Sequence, residues 1–430
     1  MNFSWFQKRS TLNSKFYFNL NFMRNIYMFY KFKTPLLVLF LGFIGLWFGS
    51  SLFNYFTHNL APEINLHGLQ RDSYYSGTIN CTLKSNNSYK VAQVSVFLDG
   101  NVVDLDGRER VGAKSLQIPF KIDTTELADG LHHLEVEAID SSYNRNKNKE
   151  RLDFFVDNMP LKAALLQQDF KVDQGRTVHA RIQTNKQLAK AQIRFLENVY
   201  NCYPESDHSS IYECFIPVDC EQSADEYLIN VELQDYVQNE AKLSAKLNIS
   251  TVNFPKQKGF KVAKGKLEEE KEISMSNKIL EEALEKWMKD SPKKKMWSGK
   301  FVIPIDLQRV ATPFGEIRTT TEKGRYLHRA VDILNYPKSV VWASQDGKVI
   351  IKDRFLLTGN TVVIDHGLEV FTLYCHLEDF ADIEVGNYIK KGNPIGKIGM
   401  TGYANGYHLH WELRVHNIPV DPFEWAKRTF

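Results

Sequence analysis

The chain has 430 residues, of which 43% are hydrophobic and 24% are charged. This composition supplies enough apolar side chains for several buried cores and excludes wholesale disorder. The formal net charge of +3 is too small for a protein whose main partner is a polyanion, so nucleic acid is excluded as that partner. Five cysteines are too few for a disulfide-dense scaffold of this length.

The N-terminal region combines positive charge with one long apolar run. Residues 1–33 contain six Lys and Arg residues and no acid, which leaves a charge of −3 on the remainder. Leu36 to Phe53 follow without a charged residue, and these 18 residues are about the shortest run that spans a bilayer. We therefore predict a cytoplasmic tail over residues 1–33 and a transmembrane anchor over residues 34–56.

A cleavable secretion signal is the alternative interpretation of the apolar run. The run is longer than the ~7–15 apolar residues of a signal, and no small-residue cleavage pattern follows it. The positive-inside rule then places the basic tail in the cytoplasm. The sequence predicts a single-pass membrane protein whose C-terminal domains are periplasmic or extracellular.

All the cysteines follow the apolar run, where disulfides persist if the prediction is right: Cys81, Cys202, Cys214, Cys220 and Cys375. An odd number leaves at least one of them without a partner in the chain. Cys202, Cys214 and Cys220 fall within 19 residues, and one bridge could close the loop-like segment between them. No CxxC pair is present, which argues against a structural zinc site built from cysteines.

The region after the apolar run has the period-two alternation of β-strands. Residues 60–158 contain short alternating segments such as VAQVSVFLDG, with a hairpin signal at Asp99-Gly100. Residues 159–253 repeat the same order of segments. We therefore expect a mainly β protein with two immunoglobulin-like β-sandwiches in tandem. Because a fold alone carries no function, a spacer role is favoured over specific ligand binding for both.

Residues 254–298 form a charged linker that contains one predicted helix. Its apolar residues recur at the spacing of one helical face: Ile279, Leu280, Ala283, Leu284, Trp287 and Met288. Ser276 is the expected N-cap, and the helix should end before Pro292. The lysines that follow are interpreted as a solvated helix end, not as a nucleic-acid patch.

The C-terminal part carries histidines in a pattern that points to a site. His328 and Asp332 are four residues apart, so in an extended segment both face the same side, with the small Ala330 between them. In HLHWELRV, His408 and His410 share one face with polar residues, while the opposite face is apolar. His376 ends the hydrophobic segment VFTLYCH.

Two imidazoles and one carboxylate bind zinc well and leave a fourth position open, as catalytic sites require. Such an ion polarises a peptide carbonyl and acidifies water, and the other two histidines could take up a proton and stabilise an oxyanion. A hydrogen-bonded surface or core residue is the alternative for any single histidine. Their joint spacing favours a site.

The stretch from about Pro313 to Pro422 resembles the lysostaphin/LytM-type zinc endopeptidases, which hydrolyse peptidoglycan. The matching segments run in family order: TPFGEIR, HRAVDI, GNTVVIDHG, LYCHL, VGNYIKKGNPIGKIGMTG, HLHWELRV and VDPFEW. The resemblance implies an antiparallel β domain of the duplicated hybrid motif type over residues 299–430, with one zinc ion per chain.

The same resemblance assigns roles to individual residues. It implies that the zinc ligands are His328, Asp332 and His410, and that the catalytic histidines are His376 and His408. One of these two would activate water and the other would stabilise the tetrahedral intermediate, in an order that the resemblance does not fix.

Two positions depart from the family pattern. Ala330 stands where the family commonly has Gly, and Cys375 stands where a small residue usually precedes the catalytic histidine. We interpret Cys375 as a buried apolar residue.

The leading functional hypothesis is a membrane-anchored zinc endopeptidase that acts on peptidoglycan peptides in stems or cross-bridges. One alternative is a non-catalytic regulator or scaffold of cell-wall hydrolysis with the same fold, in which ligands would be missing. Another is a wall-binding protein that acts through its immunoglobulin-like modules. The complete set of five site residues favours the enzyme.

Overall fold

The computed structural model describes residues 37–257, 267–320 and 324–430. The predicted cytoplasmic tail and residues 258–266 of the predicted linker lie outside the described residues. The chain divides into two compact units, one that ends at Met159 and one that begins at Pro160. The described part is mainly β, with three α-helices.

Helix α1 (Leu37–Thr57) is the one described helix that is long and apolar enough to cross a membrane. Its large apolar side chains are exposed, so no protein core covers them. Exposure of these side chains to water is unfavourable, so the helix is expected to be covered by another apolar phase.

The rest of the first unit is one seven-stranded sheet. Its strands are β1 (Glu63–His67), β2 (Tyr74–Tyr75), β3 (Thr78–Leu98), β4 (Asn101–Val102), β5 (Arg110–Asp123), β6 (Gly130–Asp140) and β7 (Lys147–Val156). A 3-10 turn over Thr124–Glu126 follows β5. The register of β3 shifts between Asn86 and Val91, and β3 pairs with β1 before this irregularity and with β6 after it. Alternate residues of the strands, such as Leu83, Val94 and Val96, fill the core.

The second unit begins with two sheets around one core. The four-stranded sheet contains β8 (Ala163–Leu165), β10 (Thr177–Thr184), β13 (Tyr203–Pro204) and β14 (Ile211–Pro217), and the five-stranded sheet contains β9 (Asp169–Asp173), β11 (Leu188–Phe195), β12 (Asn198–Asn201), β15 (Glu226–Asp235) and β16 (Glu240–Ser250). Inward residues of both sheets, including Ile182, Ile193 and Ile216, share this core. We call residues 160–253 the paired-sheet region.

Helix α2 (Leu267–Asp290) packs Leu280 and Leu284 against Phe371 and other buried residues of the C-terminal region. The expected N-cap at Ser276 is wrong, since the helix is already formed at Leu267. The preceding sequence LEEEKEI contains mostly strong helix formers, which allows the helix to extend further towards the N-terminus. The helix ends at Asp290, ahead of Pro292.

The C-terminal region contains a small and a large sheet. The small sheet contains β17 (Lys256–Gln257), β19 (Glu316–Thr320) and β20 (Gly324–His328). The large sheet contains β18 (Arg309–Thr312), β21 (Val331–Leu334), β22 (Val340–Trp342), β23 (Gly347–Phe355), β24 (Gly359–Asp365), β25 (Val370–Phe380), β26 (Tyr388–Ile389), β27 (Pro394–Ile398), β28 (Leu409–Val415) and β29 (Ile418–Val420). Helix α3 (Pro422–Lys427) follows β29, with the Asp421 carboxylate accepting from the Phe423 N–H at its N-terminus.

The paired-sheet region and the C-terminal region share buried residues. Phe215 of β14 lies in one aromatic cluster with Trp297, Trp425 and Phe430. The Trp425 indole N–H donates to Thr177 Oγ1 of β10 at 3.1 Å. Because these contacts are apolar and buried, the two regions stabilise each other as one compact unit.

Candidate active site

Three side-chain atoms that can donate an electron pair to a metal ion lie close together, one at the end of β20, one in β21 and one in β28. His328 Nε2 lies 3.2 Å from Asp332 Oδ1 and 3.2 Å from His410 Nδ1, and His410 Nδ1 lies 3.0 Å from Asp332 Oδ1. Ligands of a tetrahedral zinc ion at ~2.0–2.1 Å stand about 3.3 Å apart. The three atoms therefore have the chemistry and the spacing of a zinc-binding triad.

The local fold brings His328 and Asp332 together in a way that the sequence did not predict. They do not share one strand, because β20 ends at His328 and β21 begins at Val331. Arg329 leaves the strand direction to pair with Asp219 and Glu221, while Ala330 is fully buried. Asp332 pairs with His410 in the register of β21 and β28, which delivers the third donor.

His376 and His408 lie beside this triad. The ring centroids of His376 and His408 are 4.8 Å apart, and His408 Nε2 lies 3.8 Å from Asp332 Oδ1. Each ring donates its Nδ1–H to a main-chain carbonyl, His376 to Thr401 at 2.8 Å and His408 to Gly406 at 2.9 Å. In the neutral form, each ring therefore keeps an unprotonated Nε2.

A strained backbone aims the His376 ring. His376 has φ +59°, in the left-handed region, and its N–H donates to Thr358 O at 2.7 Å. The Thr401 carbonyl that holds the ring comes from a turn packed tightly on Gly359, where a Cβ would lie 2.4 Å from Thr401 main-chain atoms. A side chain at Gly359 would displace the carbonyl that fixes the His376 tautomer.

The charges of the site favour a cation. Burial opposes ionisation of Asp332, but His328 and His410 hold the pKa of its carboxyl well below its usual range. Burial also disfavours a charged His410, yet Asp332 and Glu412 raise the pKa of this imidazole to about 9. Burial, with His410 and His408 nearby, lowers the pKa of His376 to about 3. The triad attracts positive charge while His376 stays neutral at neutral pH.

A buried ladder of charges stands behind the triad, and the sequence did not predict it. Glu412 Oε2 lies 3.9 Å from His410 Nε2, and Arg414 Nε donates to Glu412 Oε1 at 2.5 Å. The Arg414 guanidinium also donates to both carboxylate oxygens of Glu281 in α2, at 2.5 and 2.8 Å. Arg414 and His410 lower the pKa of the buried Glu412 to about 2. Alternation in HLHWELRV places these residues on the histidine face, but sequence alone does not indicate that a helix covers them.

The remaining predicted features, and one further histidine, have definite positions. Leu409, Trp411, Leu413 and Val415 are buried and form the predicted core face of β28. Cys375 is buried in the apolar cluster beneath α2. His366 is fully buried, with Nδ1–H donating to Asp346 O and Nε2 accepting from the Thr372 hydroxyl, so both ring nitrogens are satisfied away from the triad.

Residues 326–422 match the model of peptidase family M23. The matched residues form an M23 domain within the C-terminal region. All five predicted site residues lie within the matched range, and so do Glu412 and Arg414.

The chain is 37% identical over 131 residues to the DD-carboxypeptidase/endopeptidase Mpg of Neisseria meningitidis serogroup B, an alignment that covers 30% of each protein. It is 33% identical over 121 residues to the peptidoglycan DD-endopeptidase ShyB of Vibrio cholerae, covering 27% of this chain and 28% of that protein. The chain thus spans less than a third of the length of these relatives. Lysostaphin from Staphylococcus simulans matches at 28% identity with a TM-score of 0.22, over 23% of this chain and 44% of that one.

Proposed function

We propose that the chain is a membrane-anchored zinc endopeptidase that hydrolyses peptide bonds in peptidoglycan. The observation that carries the proposal is the convergence of His328, Asp332 and His410 within 3.2 Å, with two histidines beside them whose Nε2 atoms are free to accept a proton. The names of the relatives, which include DD-endopeptidases, support the D,D cross-link of peptidoglycan as the bond that is cut.

His328, Asp332 and His410 would hold the zinc ion. Zinc with three protein ligands acts as a Lewis acid that polarises a peptide carbonyl and makes water more acidic. Arg318 lies 3.7 Å from Asp332 Oδ2, the oxygen that does not face the histidines, and orients the carboxylate.

His376 and His408 would move the proton and stabilise developing charge. One neutral imidazole accepts a proton at Nε2 from the attacking water, and the other, protonated at both ring nitrogens, donates from Nε2 to the oxyanion of the tetrahedral intermediate. The carbonyls of Thr401 and Gly406 accept from Nδ1–H of the two rings, which leaves Nε2 as the atom at which each ring gains or gives up a proton. The burial of His376 keeps its imidazole neutral, so its Nε2 is unprotonated before the reaction.

We also propose the arrangement of the chain around this domain. Residues 34–56 would anchor it in the membrane, with residues 1–33 in the cytoplasm and the M23 domain in the periplasm or outside the cell. Residues 60–158 and 159–253 would be immunoglobulin-like domains that act as spacers, followed by a linker with a helix over residues 254–298 and the catalytic domain over residues 299–430. The exposed apolar side chains of α1 and the basic residues before it support this topology.

A regulator or scaffold without catalysis is the alternative function. It predicts a damaged triad or missing catalytic histidines, whereas all five side chains are present and adjacent in this chain. The alternative is therefore less well supported.

Digestion of cross-linked peptidoglycan tests the proposal. The full chain in detergent, loaded with one zinc per chain, should release fragments whose masses identify the bond that is cut. His408→Ala should bind zinc and release about 10²–10⁴-fold fewer fragments per unit time. If the zinc-loaded wild type produces no new amino groups from several types of peptidoglycan, the proposal is wrong.

A further inference from the structure

Two of the five cysteines stand opposite each other in the paired-sheet region. Strands β13 and β14 are antiparallel, with Tyr203 opposite Glu213 and Pro204 opposite Tyr212. One step further along this register, Cys202 lies opposite Cys214. Both side chains are buried in the same core, with exposed fractions of 5% and 1%.

The backbone at this pair has the geometry that a cross-strand bridge needs. The N–H of Glu205 donates to Ile211 O across the two strands, whereas the N–H of Cys202 turns away and donates to Ala191 O of β11. Cys202 and Cys214 are therefore a pair without mutual backbone hydrogen bonds. In such pairs the Cα atoms are ~4.5 Å apart, which lies within the ~4.4–6.8 Å range of disulfides.

In the structure both residues are free thiols, and the sulfur of Cys214 lies 3.9 Å from the carbonyl oxygen of Tyr200, two residues before Cys202. Besides burial, the neighbouring Cys202 raises the pKa of the Cys214 thiol, as expected for two adjacent side chains. The remaining cysteines are buried in three other apolar clusters: Cys81, Cys220 and Cys375. Of the bridges that the clustered cysteines allow, only the one between Cys202 and Cys214 joins residues of one core.

We propose that Cys202 and Cys214 form a disulfide once the chain reaches an oxidising compartment, a step that rests on the proposed location of the domains outside the cytoplasm. Two S–H bonds break and one S–S bond forms. The two electrons and two protons pass to the disulfide of a thiol–disulfide oxidant, which becomes a dithiol. The bridge closes the exposed turn over residues 205–210.

The bridge has a consequence for the order of folding and for the M23 domain. Burial raises the pKa of the Cys214 thiol far above its usual range, and thiol exchange needs a thiolate, so the bridge forms before the core closes. Strand β14 also carries Phe215, in the aromatic cluster with Trp425, and Glu213, which binds Lys295. The disulfide therefore braces the strand on which the M23 domain packs.

Counting thiols tests the pairing directly. The full chain is purified in detergent from an oxidising compartment and alkylated in denaturant, first without and then with prior reduction. We expect three alkylated cysteines before reduction and five after it. Cleavage after Glu205, Glu213 and Asp219 separates the clustered cysteines, so mass analysis identifies the linked peptides. A bridge that includes Cys220 would overturn the proposal.

A second preparation separates the pairing from the proposed location. The full chain is refolded in a mixture of oxidised and reduced glutathione, and its thiols are counted in the same way. A Cys202–Cys214 bridge in this sample alone supports the pairing and contradicts the proposed location. Five free thiols in both samples contradict the pairing. Neither count depends on peptidoglycan hydrolysis, so failure of the enzymatic proposal would be seen separately.

Thermal unfolding of the second unit gives an independent measurement. Cys202→Ala and Cys214→Ala each remove the same bridge, so each should lower the Tm by about 6–12 °C, and the double variant should be little worse. Reductant should lower the Tm of the wild type but not that of these variants. Cys220→Ala is the matched control and should remain sensitive to reductant. Additive losses in the double variant would indicate two independent thiols.

Discussion

Ionisable residues near the two ends of strand β28 differ in how completely their hydrogen bonds are satisfied. At the first end, His410 meets His328 and Asp332, and His328 Nδ1 has no hydrogen-bond partner among the described residues. At the other end, Glu412 and Arg414 are also buried, but they bind each other and Arg414 also binds Glu281. Burial of a charged side chain therefore does not by itself identify a functional site. The open set of donors has the composition of a metal site, whereas the ladder is complete without a metal ion.

The largest effect should come from removing one of the three donors His328, Asp332 and His410. Asp332→Asn removes the anionic ligand, so we expect zinc and hydrolysis to be lost together. His376→Ala leaves the triad intact, so zinc should remain while kcat falls about 10²–10⁴-fold. Metal analysis of the dialysed full chain and the rate of peptidoglycan digestion measure the two effects.

His416→Ala is the matched control for these variants, since His416 pairs with Glu369 in the same domain and does not touch the triad. It should keep both zinc and activity. Retention of stoichiometric zinc by Asp332→Asn would contradict the assignment of the ligands.

The next largest effect should come from removing Arg414, which binds both Glu412 and Glu281 in the ladder. Arg414→Met leaves Glu412 buried without its cation, and we expect the free energy of unfolding of the second unit to fall by about 3–5 kcal/mol. Zinc affinity should fall about 10–100-fold, because Glu412 orients His410. Urea unfolding followed by tryptophan fluorescence and competition with a chelator measure these changes. If zinc affinity is unchanged, the ladder is structural alone.

Unfolding measured at a series of pH values distinguishes His366, whose two ring nitrogens both have hydrogen-bond partners, from the histidines of the site. Burial lowers the pKa of His366 to about 4 from its usual 6.5, so folding disfavours the protonated form. This histidine contributes stability above pH 6.5, and the contribution is lost as the pH falls towards 4. The difference in unfolding free energy between the wild type and His366→Gln should shrink by about 3 kcal/mol from pH 7 to pH 4. A constant difference would contradict this.

The smallest effect should come from the outer end of the ladder. The Glu281 side chain is 34% exposed, so solvent screens its pair with Arg414. Glu281→Gln should lower the free energy of unfolding by less than about 1 kcal/mol, and added salt should reduce the difference further. Zinc content should not change. A loss of unfolding free energy as large as that caused by Arg414→Met would mean that the stability of the site depends on its contact with α2.

The sequence predicted the parts of the site that depend on residue type and order. His328, Asp332 and His410 are informative because few other roles require two imidazoles and a carboxylate together, and His410 lies in β28 with His408 directly before that strand. The mainly β fold followed from the period of two. In both cases the information lies within a few consecutive residues.

The remaining features depend on contacts between distant segments. The start of α2 was missed because the N-cap preference of Ser276 is weaker than the helix propensity of the residues before it. The break between β20 and β21 coincides with Arg329, whose partners Asp219 and Glu221 are about 110 positions earlier. The burial of Arg414 requires Glu281, which is 133 positions away. No local pattern encodes such pairings.

The aromatic cluster shared by Phe215, Trp297 and Trp425 limits how this protein can be cut into fragments. A fragment that begins at residue 299 would lack Phe215 and Trp297 and would present a bare aromatic patch to water, inviting aggregation. The shortest fragment that keeps this cluster covered begins at Pro160, and inactivity of the shorter one would say nothing about catalysis.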